Sequence, residues 1–283
     1  MVDNVIHRIA LIQMVSGVEV QANLASLSRL IERAAQEGVE AIFLPENFAA
    51  LGNPAPWDIG ALEVSSMGPI RSAVADLARG SNCWIFAGTL PTISRPDGDD
   101  QVSAPRVRAA SYVYDSSGIE VSRYDKIHMF DVEVADNHKH YMESATFEPG
   151  ETLACIDSPI GLVGLSVCYD IRFPELYRKL FVEGATSFAI PSAFTQTTGK
   201  AHFEILMRSR AIENFSFTIA ACQGGDHDSG RKTHGHSMVV SPWGDVLAEA
   251  ASGEDVIIAE LDFGRLAEIR ADMPVRAQMR LSV

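Results

Sequence analysis

Gly161-Leu162-Val163-Gly164-Leu165-Ser166-Val167-Cys168-Tyr169-Asp170-Ile171-Arg172-Phe173-Pro174-Glu175-Leu176 changes character at its middle: an apolar run stops at a cysteine, and Phe-Pro-Glu starts something new. Pro174 suits the first position of a helix, where its fixed φ and missing N–H cost nothing, and Gly184 suits the far end. Over residues 174–183, Leu176, Tyr177, Leu180 and Phe181 recur at helical spacing and predict one apolar face. Cys168 therefore falls in a sharp turn between a strand and a helix. Backbone N–H groups point outward at such a turn and favour a thiolate, which suits a nucleophile. A buried core cysteine is the alternative reading of the same residue.

Outward from this stretch, strands and helices alternate. Residues 9–14 and 41–44 are apolar runs that read as buried strands, separated by an amphipathic helix over residues 20–37 that ends at Gly38. A second helix is expected over residues 69–79 and a strand over 84–90. The polar residues 94–106 read as a surface loop joining that strand to an antiparallel partner at 107–115. Strand character resumes at 120–126, and residues 130–148 form a long irregular segment of the kind that often carries function. Further strands are expected at 153–156, 162–167, 186–190, 215–222, 237–240 and 256–261. Helices are expected at 200–214, with Phe203, Leu206, Met207, Ala211 and Ile212 inward, and at 264–271; residues 224–235 read as a polar loop. Hairpin-like pairs interrupt the alternation, so a layered α/β protein with mixed sheets follows.

The chain has 283 residues, 47% hydrophobic and 21% charged, enough to bury a large core. No linker-like shift in composition divides it, so one domain over residues 1–283 is expected. A formal net charge of -14 argues against a nucleic-acid partner, since phosphate binding rests on basic patches. Cys83, Cys155, Cys168 and Cys222 show neither Cys-x-x-Cys pairing nor zinc-ligand spacing and suit a reducing compartment. The first residues lack a basic segment followed by a long apolar one, and no apolar run approaches a membrane span. A cytoplasmic protein without membrane contact is the expectation.

Two further polar residues end apolar strands, where α/β proteins present reactive groups: Glu46 after Ile-Phe-Leu-Pro, and Lys126 in Tyr124-Asp125-Lys126-Ile127-His128. A solvated loop carboxylate and a strand-end salt bridge are their plainer readings. Taken with Cys168 they make chemical sense, because a thiol needs a base and an ammonium can stabilise an oxyanion formed at a carbonyl.

These three motifs resemble those of the carbon–nitrogen hydrolase (nitrilase) superfamily, whose catalytic triad is Glu, Lys and Cys. They stand here as Leu44-Pro45-Glu46-Asn47-Phe48, Tyr124-Asp125-Lys126-Ile127-His128 and the segment from Cys168 to Glu175, within a likeness running from about residue 8 to residue 262. The resemblance implies a four-layer α-β-β-α sandwich with mixed sheets, with subunits pairing into a homodimer or larger homo-oligomer. It implies a further glutamate shortly before a Pro-Gly, which Glu143 fits better than Glu148. Tyr-Asp after the cysteine is similar to the amidase branches, and Lys126-Ile-His-Met-Phe-Asp-Val-Glu133 with Pro191-Ser-Ala-Phe194 is similar to the Nit subgroup.

That likeness implies hydrolysis of a small amide without metal or organic cofactor, with deaminated glutathione split to 2-oxoglutarate and cysteinylglycine. 2-Oxoglutaramate (an ω-amidase) and N-carbamoyl amino acids are alternative substrates, and an inactive interaction module is the alternative of another class. Glu46 would be the general base, Cys168 the nucleophile, and Lys126 with the Tyr169 backbone N–H the oxyanion donors, with Glu143 orienting Lys126. Arg172 suits a bidentate grip on a substrate carboxylate, a salt bridge to Asp170 or Glu175 being its plainer reading. Phe194 and Thr198 are the matching pocket positions by resemblance. His234-x-His236 and His138-x-His140 suggest a metal only weakly, lacking accompanying ligand spacing. A Cys–His scheme with His128 or His236 as base would leave Glu46 and Lys126 unexplained.

Overall fold

Strands whose side chains are apolar on both faces need a packing partner on each side, and the computed structural model supplies both. It describes residues 5–96, 100–136 and 139–281. In chain order the strands are β1 (Ile6–Gln13), β2 (Ala41–Leu44), β3 (Trp84–Thr92), β4 (Arg108–Tyr114), β5 (Glu120–Asp125), β6 (Asp131–Glu133) and β7 (His140–Met142). Then follow β8 (Cys155–Ser158), β9 (Gly161–Leu165), β10 (Ser187–Ala189), β11 (Phe217–Ala220), β12 (Met238–Val240), β13 (Val246–Glu249) and β14 (Asp255–Asp262). The helices are α1 (Val20–Ala35), α2 (Pro56–Leu62), α3 (Pro69–Ser81), α4 (Pro174–Glu183), α5 (Gln196–Asn214), α6 (Phe263–Asp272) and α7 (Val275–Gln278).

One six-stranded sheet runs β14-β1-β2-β3-β4-β5 and a second runs β13-β12-β11-β10-β9-β8. Each is mixed: β1, β2 and β3 are parallel, as are β9, β10 and β11, while their outer neighbours pair antiparallel. The two-residue period separates the layers. Ile9 and Leu11 of β1 and Phe43 of β2 join Val163, Leu165 and Ile219 of the second sheet in one core. Ala10, Ile12, Ile42 and Leu44, on the opposite face, pack with Leu27 and Ile31 of α1 and Val74 of α3. On the far side of the second sheet Tyr177 of α4 meets Phe188 edge to face at 5.2 Å, and α5 accepts the Thr218 hydroxyl at its Met207 carbonyl. The order is thus α-β-β-α, an α/β sandwich as the resemblance implied.

The helix after the opening stretch follows the expected pattern. Pro174 begins α4, its four apolar residues are buried, and Gly184 closes it at φ +108°. Each such side chain contributes about 1.5–3 kcal/mol on burial.

Several expectations need correction. The segment 130–148 is not irregular throughout: β6 and β7 pair as a short hairpin, leading into the 3-10 turn Glu143–Ala145. The helix expected from residue 200 starts at Gln196, because the Thr195 hydroxyl accepts from the Thr198 N–H and caps it. Ile212 of that helix is 47% exposed rather than inward. α2 and β13 were not anticipated, their sequences being too short for a periodic signal. The loop expected over residues 94–106 lies partly outside the described residues.

Candidate active site

Glu46 follows β2 at the end where the parallel strands finish. β2 and β3 approach so closely there that a Cβ at Gly88 would press into the Pro45 carbonyl. Asn47, at φ +53°, donates its N–H to the Thr89 hydroxyl at 2.9 Å, and the Gln223 amide donates to the Glu46 carbonyl at 3.1 Å. These contacts turn a carboxylate inward that is only 4% exposed.

Lys126 follows β5. Its N–H donates to the Ala109 carbonyl at 3.0 Å and its carbonyl accepts from the Gly150 N–H at 2.8 Å. Gly150 is required at that contact, since a Cβ would collide with the Asp125 carbonyl. The Lys126 ammonium is 2% exposed and donates to Glu46 Oε1 at 2.8 Å and to both Glu143 oxygens at 2.8 and 2.9 Å. Glu143 is held in turn by the Phe130 N–H at 2.6 Å.

Cys168 follows β9 and opens the 3-10 turn Cys168–Arg172 with φ +47°, a left-handed conformation strained for a cysteine. Its N–H donates to the Pro191 carbonyl at 2.9 Å. Asp170, fully buried, organises the turn: it accepts from the Val167 N–H, the Tyr124 hydroxyl and the His128 N–H at 2.7–3.0 Å, and meets His128 Nδ1 at 2.7 Å. It therefore ties the cysteine turn to the strand end that carries Lys126. Nothing in a lone Tyr-Asp dipeptide announces this role.

Electrostatics modifies the expectation that the turn favours a thiolate. Burial pushes the Cys168 thiol well above its ordinary value, the neighbouring Glu46 charge pushes the same way, and Lys126 and the Ala193 N–H only partly oppose them. That direction favours the neutral thiol over the thiolate. Burial alone would lower Lys126, but Glu143 and Glu46 outweigh it and raise the ammonium, which stays charged at neutral pH.

Cys168, Glu46, Lys126 and Glu143 line one cavity of about 290 Å³. Tyr169, Arg172, Phe194 and Thr198 line it too. Arg172 makes no ion pair with Asp170 or Glu175 among the described residues; its Nη2 lies 3.2 Å from His202 Nδ1, with the guanidinium near the faces of Tyr169 and Phe194. The cavity also takes in residues that were not anticipated: Asn47, Phe130, Tyr141 and Arg231. Arg231 comes from the loop 224–235, where a single arginine among polar residues carries no periodic signal.

Of the competing residues His140 lines the same cavity, and the other described ones lie elsewhere. Glu148 pairs with Arg95 and Arg108, so Glu143 is the glutamate at Lys126. His128 stacks on Phe173 at 3.6 Å, and His236 pairs with Glu249 at 2.7 Å; neither lines the Cys168 cavity. His138 lies outside the described residues. Among the described residues no three His, Cys, Asp or Glu side chains gather as a metal site.

The geometry accords with three comparisons. The carbon–nitrogen hydrolase family profile matches residues 8–271. A deaminated glutathione amidase of Yersinia enterocolitica is 39% identical over 267 residues, covering 94% of this chain and 91% of the relative. One of Dictyostelium discoideum is 35% identical over 99% of this chain and 96% of its own length. The crystal structure of Saccharomyces cerevisiae Nit3, a member of branch 10 of the nitrilase superfamily, superposes with a TM-score of 0.82 at 30% identity, covering 98% of this chain and 97% of Nit3.

Proposed function

We propose that this chain, which belongs to the carbon–nitrogen hydrolase family, is an amidase that cleaves deaminated glutathione through a thioester on Cys168. The observation that carries the reading is the Lys126 ammonium, bracketed at 2.8 Å by Glu46 and Glu143 in the cavity that Cys168 lines. A cation so held cannot serve as the base. It can meet negative charge developing on a carbonyl oxygen.

The Cys168 sulfur attacks the amide carbon while Glu46 removes the thiol proton. A neutral resting thiol fits this concerted transfer better than a standing thiolate. Lys126 and the Tyr169 N–H hold the oxyanion. Collapse breaks the C–N bond, and Glu46 returns its proton to the departing amine. Glu46 then takes a proton from water, which attacks the thioester; the carboxylic acid leaves and the sulfur regains its proton. Glu143 keeps Lys126 in place. Arg172, without an acidic partner among the described residues, receives the α-keto acid carboxylate, and Phe194 and Thr198 border it.

The substrate follows from the amidases named above and from this free guanidinium. Turnover of deaminated glutathione, 2-oxoglutaramate and N-carbamoyl-β-alanine by the purified protein tests it: the first should give the highest kcat/KM. A strong preference for the carbamoyl compound would contradict the assignment. A cytoplasmic homodimer is part of the proposal. Ile205 and Trp243 are 66% and 53% exposed, apolar area that a partner copy would cover. Light scattering at micromolar concentration giving only 30.7 kDa would contradict the dimer.

A further inference from the structure

Many arginines of this acidic molecule are matched with carboxylates, as Arg29 is with Glu254, Arg71 with Glu120 and Arg108 with Glu148, while Arg178, Arg270, Arg276 and Arg280 bond backbone carbonyls instead. Two in the cavity are likewise not matched. Arg172 and Arg231 make no ion pair among the described residues, although both line the Cys168 cavity. The Nη2 of Arg231 donates to the Ala193 carbonyl at 2.8 Å, while its Nε is buried and donates to no group among the described residues. Five buried side-chain atoms lack a partner among the described residues, and of these only Arg231 Nε belongs to a residue that lines the Cys168 cavity, where a substrate group can meet it.

The positions of the two guanidiniums differ in a way that matters for the reaction. Arg172 sits in the same short turn as Cys168, so it stays fixed relative to the sulfur. That suits the half of the substrate that remains bonded to sulfur after the amine has left. Arg231 belongs to a different loop, next to exposed Ser229 and Gly230, and is anchored on the carbonyl of Ala193, a residue that also lines the cavity. It thus enters the nucleophile's cavity from a segment bordered by solvent-exposed residues, away from the turn that carries Arg172. Lys126 is already faced by two carboxylates, so the two guanidiniums are the cations left to receive substrate carboxylates, one for each end of a dianionic substrate.

We infer that Arg231 binds a free carboxylate on the leaving-group half of the substrate, selecting amides of peptide-like amines that end in an α-carboxylate. This rests on the amidase reading of the Cys168 site and adds to it which leaving groups are accepted. A cysteinylglycine leaving group, two residues long, spans about 7 Å when extended, a reach that carries its carboxylate well away from the scissile bond.

The test uses a matched pair that differs only in this charge: deaminated glutathione and its C-terminal carboxamide. Wild-type protein should prefer the acid by roughly ten- to a hundredfold in kcat/KM, the worth of a guanidinium–carboxylate hydrogen bond. Arg231→Gln should bring that ratio near one, and Arg231→Lys should restore part of it. Arg172→Met should lower both substrates together and leave the ratio standing. A wild-type ratio near one, or a ratio that persists in Arg231→Gln, overturns the inference. Binding of the same pair to Cys168→Ala protein, with and without Arg231→Gln, is measured by calorimetry alongside. Should neither compound be turned over by the wild type, the proposed reaction fails, and the binding ratio still decides the role of Arg231.

Discussion

Glu143→Gln removes one of the two carboxylates that face Lys126 and keeps its shape. Two effects oppose each other. The buried set of Glu46, Lys126 and Glu143 carries one negative charge in excess, and neutralising it relieves a desolvation cost. Against that, the ammonium loses charge-assisted contacts at 2.8 and 2.9 Å, and a hydrogen bond to a charged group contributes about 1.5–3 kcal/mol. Exposure decides which wins: the Glu143 side chain keeps 16% and that of Lys126 only 2%, so little desolvation is relieved. Lys126 retains Glu46 and so does not become an orphaned buried charge, which would cost about 3–5 kcal/mol. The net expectation is a modest loss of stability. If most of the contact energy is expressed in the transition state, kcat falls about ten- to a hundredfold, since about 1.4 kcal/mol is tenfold. Steady-state kinetics on deaminated glutathione beside a urea midpoint reads both quantities. A kcat within twofold of wild type, or a raised KM with kcat unchanged, would refute the positioning role.

Other consequences concern the scaffold and the base. Glu46→Gln keeps the hydrogen bond acceptor at Lys126 but cannot take a proton, so turnover should fall by roughly two to four orders of magnitude in folded protein; a smaller loss would assign the base elsewhere. Asp170→Asn sets an NH2 group against donors that now meet a carboxylate, and each buried donor left unmet costs about 1–3 kcal/mol, so the urea midpoint should drop clearly; an unchanged midpoint contradicts the bridging role. Glu148 is held down to about 2 from its ordinary 4.5, first by hydrogen bonds from Arg95 and then by those from Arg108. Because the folded value is the lower one, its contribution is full above pH 4.5 and fades as the pH falls to about 2. The stability deficit of Glu148→Gln should therefore vanish over that window, and a deficit constant with pH would count against the ion pairs.

How far the sequence was legible follows from the length scale of each signal. The layers were readable because β1 and β2 carry uninterrupted apolar runs, and α4 announces itself with Pro174, four spaced apolar residues and Gly184. Glu46 and Cys168 were visible because each closely follows an apolar strand, whereas β5 before Lys126 is mostly polar and that lysine stood out by its motif. β13, with four residues, and α2, with seven, are each too short to display a period. Long-range contacts left no trace in the sequence. Asp170 reaching Tyr124, Gln223 reaching the Glu46 carbonyl and Arg231 entering the cavity all depend on chain segments that meet only after folding. The Cys168 thiol is affected in the same way: a turn alone suggests a thiolate, whereas burial and the Glu46 charge push the thiol up.

The central claim is that Cys168 carries the acyl group during turnover. Protein mixed with excess deaminated glutathione, quenched in acid within milliseconds and digested, should yield the Cys168 peptide heavier by one 2-oxoglutaryl group, and folded Cys168→Ala protein should neither form the adduct nor turn over substrate. Persistent turnover in the Cys168→Ala protein, or an acyl group found on another residue, would contradict the account.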